Sequence, residues 1–261
     1  MKKRKRDGKM KIALCMEGGG AKGAYEAGVV KALYDNGIKE YAAISGTSIG
    51  AINGYFLATG NMEKLAYIWN NVEENLGDTS IQIVDNKVNN DNLIKGLYML
   101  EEDCRAEIPL YVNYVEVHDK CIEEKIVETS KLDKNECLEC IKYSSLLPFN
   151  PIKQKGFKEG FIEDVAEGAY EGECLDGGMC RSLIVEPVLE VNPDKIVIIS
   201  IQNDYEVPEE LIEEFGADKF VVARPKQKFE PGATLNLNMD FCRKIFSDGY
   251  EIGQELVKEF K

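Results

Sequence analysis

The chain has 261 residues, with 32 basic and 46 acidic side chains and a formal net charge of −14. A composition of 44% hydrophobic and 30% charged residues, with 23 Gly and 8 Pro, excludes wholesale disorder, a collagen-like repeat and a coiled coil. The acidic balance repels phosphate backbones and anionic bilayers, so nucleic-acid binding is set aside.

The exception in charge is Lys2-Lys3-Arg4-Lys5-Arg6, in a basic tail over residues 1–10. It reads as a solvated terminus, or as a patch for anionic lipid. No apolar stretch approaches the roughly 20 residues of a membrane span. Residues 11–17 are too mixed for the apolar run of a secretory signal. The expectation is a cytoplasmic protein with at most peripheral membrane contact.

Residues 11–16 read as a short buried strand, followed by a glycine-rich turn, Glu17-Gly18-Gly19-Gly20-Ala21-Lys22-Gly23. Residues 24–36 have helical character, with Ala27, Val30, Leu33 and Tyr34 on one side and Gly37 placed to end the helix. A second strand is expected over residues 41–45, then a turn, then a helix over 51–59. This alternation opens a parallel α/β sheet with helices on its faces. A further helix is expected over residues 62–75, with its Trp69 in the core. Residues 85–92 read as a loop, and 93–101 as a helix.

Residues 108–117 and 121–127 form a predicted hairpin turning at His118-Asp119-Lys120. Helical character resumes over 135–147 and stops at Pro148. Residues 150–172, with glycines at 156, 160, 168 and 172, read as irregular. Strands are expected at 196–201 and 220–223, and a closing helix at 238–260 whose apolar stripe faces the core.

The eight cysteines are at 15, 104, 121, 137, 140, 174, 180 and 242. Cys137 and Cys140 have C-x-x-C spacing, but neither a second close pair nor a suitable His completes a zinc site. Reduced thiols and no metal or other cofactor are expected.

Three segments carry chemistry. Gly46-Thr47-Ser48-Ile49-Gly50 is a G-x-S-x-G between a predicted strand and helix. Small residues flank the serine because the backbone is pinched there, and the turn pushes the hydroxyl outward. The glycine turn leaves the N–H groups of Gly18, Gly19 and Gly20 uncovered, and such donors aimed at one point make an oxyanion hole. The N–H of Ile49 is a natural further donor. Lys22 either neutralises charge near this loop or lies on the surface.

A rival reading takes Gly18, Gly20 and Gly23 as G-x-G-x-x-G, a nucleotide loop. That site wants an acidic residue at the end of the second strand, where this chain has the serine turn instead. The third segment is Asp176-Gly177-Gly178, by itself only a turn. A serine nucleophile needs a base, and hydrolases with this elbow order it Ser, acid, His. The single histidine, His118, precedes Asp176. Either Ser48 is idle or a carboxylate serves it directly.

In this order the three segments resemble the patatin-like phospholipase family. Gly18-Gly19-Gly20-Ala21-Lys22-Gly23 matches its glycine loop, Gly46 to Gly50 its elbow, and Asp176-Gly177-Gly178 its third motif. Ser144 and Pro148 stand where the family has a Ser-x-x-x-Pro stretch. The family commonly continues with an Asn and a Pro after Asp-Gly-Gly. This chain has Met179-Cys180-Arg181-Ser182-Leu183-Ile184 there. The resemblance implies one patatin-like phospholipase domain over residues 11–261 and a three-layer α/β/α fold with a mostly parallel sheet. It also implies a Ser48–Asp176 dyad, with the glycine loop as oxyanion hole, that hydrolyses acyl esters of phospholipids or other lipids. The alternatives are a catalytically impaired relative that binds lipid or a partner, and a nucleotide-binding protein.

Overall fold

A computed structural model of the chain describes residues 10–76, 81–100, 108–153 and 155–260. The tract Lys2 to Arg6, Cys104 and Glu101, the end of a predicted helix, lie outside these residues.

The first part of the chain folds as β1 (Ile12–Met16), α1 (Gly23–Asp35), β2 (Ala43–Thr47), α2 (Ile49–Ala58), α3 (Met62–Asn70) and α4 (Val72–Leu76). A small hairpin follows, β3 (Ile83–Val84) with β4 (Lys87–Val88), and then α5 (Asp91–Tyr98). The middle holds β5 (Leu110–His118), β6 (Cys121–Glu128), α6 (Lys134–Ser144), α7 (Phe157–Ala166) and β7 (Cys174–Asp176). The last part holds α8 (Glu186–Leu189), β8 (Lys195–Ile199), α9 (Glu209–Phe215), β9 (Phe220–Ala223) and α10 (Met239–Leu256).

The main sheet runs β6-β5-β2-β1-β8-β9, with β7 also on β5. The pairs β5–β2, β2–β1, β1–β8 and β8–β9 are parallel, while β6 and β7 lie antiparallel to β5. The fold is therefore mixed α/β with a mostly parallel central sheet. Strand residues alternate between faces. Leu14, Met16 and Ile44 pack in the core that also holds residues of α1, α2 and α10. Ala13, Cys15 and Ala43 pack on the opposite side against Ile184, Val185 and Val188. Two buried faces require two covering layers, which is why β1, and β8 beyond Lys195, are apolar.

The closing helix α10 lies on α1 and packs its stripe inward, with Ile245 and Ile252 buried. The approach is closest at glycines. A Cβ at Gly249 would stand 2.0 Å from the Tyr25 carbonyl oxygen, and one at Gly28 2.0 Å from that of Phe246.

Several elements differ from the sequence expectation. The helix expected over 62–75 is broken at Asn71, where Asn70 and Asn71 turn their side-chain amides back onto the carbonyls of Ala66 and Tyr67. Such side chains compete with the helix for backbone acceptors. The loop expected over 85–92 contains β4 and the first residues of α5. Asp85 and Asn86 both adopt positive φ, as a two-residue hairpin turn demands. The stretch 150–172 is not irregular throughout. Gly156 caps α7 and Gly168, at φ 89°, follows its end, so two of the glycines bracket a helix. Phe161 and Val165 of that helix are buried against Val115 and Leu175. The second strand begins at Ala43 and runs on through Gly46 and Thr47.

Candidate active site

The site begins with strand register. β2 pairs along β5 until Thr47 stands opposite Asn113. β7 comes from the other direction along the same edge of β5 and ends with Asp176 opposite Tyr114. The two strands therefore meet head-on, and the residue after Thr47 meets the last residue of β7. That residue is Ser48. Its Oγ donates to Asp176 Oδ2 at 2.6 Å, across 128 positions of sequence.

Ser48 sits at φ 55°, ψ −122°, a conformation that side chains other than glycine's adopt only under strain. The pinch is enforced on both sides. A Cβ at Gly46 would lie 2.4 Å from the Gly50 carbonyl oxygen, and one at Gly50 would lie 2.6 Å from that of Met16. The Ser48 N–H is committed to Ser144 Oγ at 2.8 Å. Ile49 opens α2, and the first N–H groups of a helix have no partner within it. Lone glycines and helix starts are common, but glycines that touch backbone on both sides of one serine form a built turn.

Asp176 is 2% exposed. Its Oδ1 accepts from the Gly178 N–H at 2.7 Å. Burial pushes its carboxyl up from 3.8 to about 7, against the opposing pull of the Ser48 and Gly178 hydrogen bonds. His118 does not join this pair. It lies at the far end of β5, exposed, with Nε2 3.8 Å from Glu116. Tyr114 and His118 are separated by roughly 13 Å along the strand.

The glycine loop leaves β1 and lies against the serine turn. A Cβ at Gly18 would be 3.1 Å from Ser48 Cβ, and one at Gly23 would be 2.5 Å from Ile49 Cγ1. Gly20 has φ +60°, and a Cβ there would be 2.1 Å from the Thr234 carbonyl oxygen. The Gly18 N–H already donates to the Ser182 carbonyl at 2.7 Å. Lys22 is half-buried, and burial lowers its pKa from the usual value.

Gly18, Gly19, Gly20, Lys22, Ser48, Ile49, Asp176 and Gly178 all border one cavity of about 450 Å³. Its far walls are apolar, with Ile52, Phe56, Leu65, Trp69, Leu93 and Leu237 among them. Trp69 is thus buried as expected, and it also walls the cavity. Its indole N–H donates to Asn53 Oδ1, whose amide holds the Gly23 carbonyl and Glu26. Glu26 is fully buried, and desolvation pushes its carboxyl well above the usual range.

Sequence reasoning gave Asn113 no role, and it met Glu17, Ser144 and Arg181 only as parts of longer stretches. The Glu17 carboxylate accepts from Ser182 Oγ, Ser200 Oγ, the Ile201 N–H and Gln202 Nε2, at 2.6 to 2.9 Å. A charged residue directly before a glycine run, at the end of an apolar strand, was the available signal. Among the described residues, no group of His, Cys, Asp and Glu is arranged to hold a metal ion.

Residues 14–132 match the family model described as Patatin-like phospholipase. No match was found among curated protein sequences. Among solved structures, the chain is similar to VipD from Legionella pneumophila. The identity is 13% and the TM-score 0.50, over 96% of this chain and 67% of that one. It is also similar to the type III effector protein ExoU of Pseudomonas aeruginosa. There the identity is 13% and the TM-score 0.51, over 96% of this chain and 53% of that one. At such identity these likenesses establish the fold. The chain spans about two thirds of VipD and about half of ExoU.

Proposed function

We propose that this chain is a serine hydrolase of lipid acyl esters, with Ser48 as nucleophile and Asp176 as its only base. The observation that carries this reading is the 2.6 Å hydrogen bond from a strained elbow serine to a buried aspartate. It borders a largely apolar cavity and has no imidazole beside it. The family match over residues 14–132 supports the same chemistry.

In the first step Ser48 Oγ attacks the ester carbonyl while its proton passes to Asp176 Oδ2. The oxyanion so formed is held by the N–H groups of Gly19, Gly20 and Ile49. Gly18 contributes by close packing, because its N–H is bound to Ser182. Collapse of the adduct returns the proton to the leaving alcohol and leaves an acyl-Ser48 ester. In the second step Asp176 takes a proton from water, which attacks that ester, releases the fatty acid and restores the Ser48 hydroxyl. An aspartate of ordinary pKa is a weak base at neutral pH. One raised to about 7 by burial is matched to the task. The acyl chain occupies the cavity walled by Ile52, Phe56 and Trp69.

The nucleotide reading has less support. Gly18 and Gly23 are spent in packing against the serine turn, and β2 delivers Ser48 where a ribose-binding acid would stand.

The test is covalent labelling with a fluorophosphonate. Wild-type protein labels at one site, Ser48→Ala does not, and the products from a mixed lipid extract are free fatty acids. Labelling that survives in Ser48→Ala overturns the assignment.

A further inference from the structure

The residues after Asp176, where the sequence departs from the family pattern, hold the site together. Asn113 is fully buried on β5, at the point where β2 and β7 meet. Its Oδ1 accepts from Thr47 Oγ1 at 2.7 Å, beside the nucleophile. Its Nδ2 donates to the Arg181 carbonyl at 3.1 Å and to Glu124 Oε1 at 2.8 Å. Every polar atom of the Asn113 side chain is thus engaged, which fixes its orientation. Arg181 Nε then closes the ring onto both Glu124 oxygens, at 3.0 and 3.1 Å. Gly177 rests on Asn113 so closely that a Cβ there would lie 2.5 Å from its carbonyl oxygen.

We propose that Asn113 and the Arg181–Glu124 ion pair are positioning residues that set the approach of Asp176 to Ser48. β7 has only three residues and ends at Asp176, so its own ladder holds the carboxylate weakly. The ring ties the turn after Asp176 to Thr47, and hence to the elbow. None of the three side chains touches the reacting atoms. Misplacement of a catalytic group by about 1 Å costs as much as 10²-fold, so a loosened ring is expected to be visible in rate.

This inference rests on the Ser48–Asp176 reading, and the experiment separates the two. Wild type, Ser48→Ala, Arg181→Gln, Arg181→Lys and Glu124→Gln are titrated with a fluorophosphonate. The turnover of a soluble aryl ester is then expressed per labelled site. The expected result is a loss of about tenfold or more in kcat per site for Arg181→Gln and Glu124→Gln. KM stays within about twofold, and Arg181→Lys recovers most of the rate. A purely structural role would lower the fraction of sites labelled and leave the rate per site unchanged. A rate per site within about twofold of wild type in both Gln variants overturns the inference and leaves the dyad standing. If Arg181→Gln yields no folded protein, Glu124→Gln decides by the same criterion. Wild type that does not label, or Ser48→Ala that does, overturns the dyad and this inference together.

Discussion

Asp176 titrates near 3.8 when unfolded, as a free carboxyl does, and at about 7 in the folded protein. Two consequences follow, of opposite value to the molecule. As the proposed base, Asp176 must be ionised to accept the Ser48 proton, so the plot of kcat/KM against pH is expected to fall on the acid side, with a midpoint near 7. Asp176→Asn removes the proposed base and is expected to cost about 10²-fold or more in turnover. The same shift destabilises the fold. Between the two values the folded state keeps a proton that the unfolded chain releases, so stability declines as pH rises through this window. The penalty above pH 7 is on the order of a few kcal/mol. Asp176→Asn is therefore expected to raise Tm at pH 8, with the gain vanishing towards pH 4. A lower Tm for this variant at pH 8, measured by calorimetry, would contradict the assigned burial cost.

At the scale of elements, the decisive contacts are made by backbone. α10 meets α1 through Gly28, Gly249 and Gly253, where an added Cβ would strike backbone atoms within 2.0 to 2.6 Å. Gly249→Ala must push the helices apart and is expected to cost about 1–3 kcal/mol of stability. Urea titration measures this loss, and labelling of Ser48 in the folded fraction should be unaffected. Most strands and helices were legible in the sequence because their apolar spacing is local. Residues 12–16, 110–118 and 239–256 needed nothing beyond periodicity. The misreadings share a cause as well. In residues 150–172, four glycines mask the spacing of Phe157, Phe161 and Val165, which carries α7. At 62–75 the apolar spacing continued through Asn70 and Asn71, whose side chains end the helix. β7 was invisible as a strand because it is three residues long and draws its stability from β5.

At the scale of the whole molecule, the sheet brings a polar site to one end of a cavity of about 450 Å³ with largely apolar walls. Ile52 lies on α2, one turn beyond the elbow, and borders that cavity. Ile52→Trp fills part of it. The expected effect is a shift in preference towards short-chain aryl esters, read from kcat/KM over a series of chain lengths. A parallel drop for all chain lengths would place the acyl group elsewhere. No helix among the described residues is long and apolar enough to cross a membrane.

The sequence by itself determined the chemistry on offer: a pinched serine, a glycine loop, an Asp-Gly-Gly and one histidine in the wrong order for a triad. It also determined the alternation of strand and helix, since both depend on residues near one another in the chain. Only the tertiary structure decided that Ser48 and Asp176 touch, because that contact depends on β2 and β7 sharing one edge of β5 in a particular register. Register is fixed by the packing of two sheet faces and by the ring around Asn113, which joins residues from four separate segments. No local pattern encodes such a meeting, so the partners of Asn113, Glu124 and Arg181 became visible only once the strands were in place.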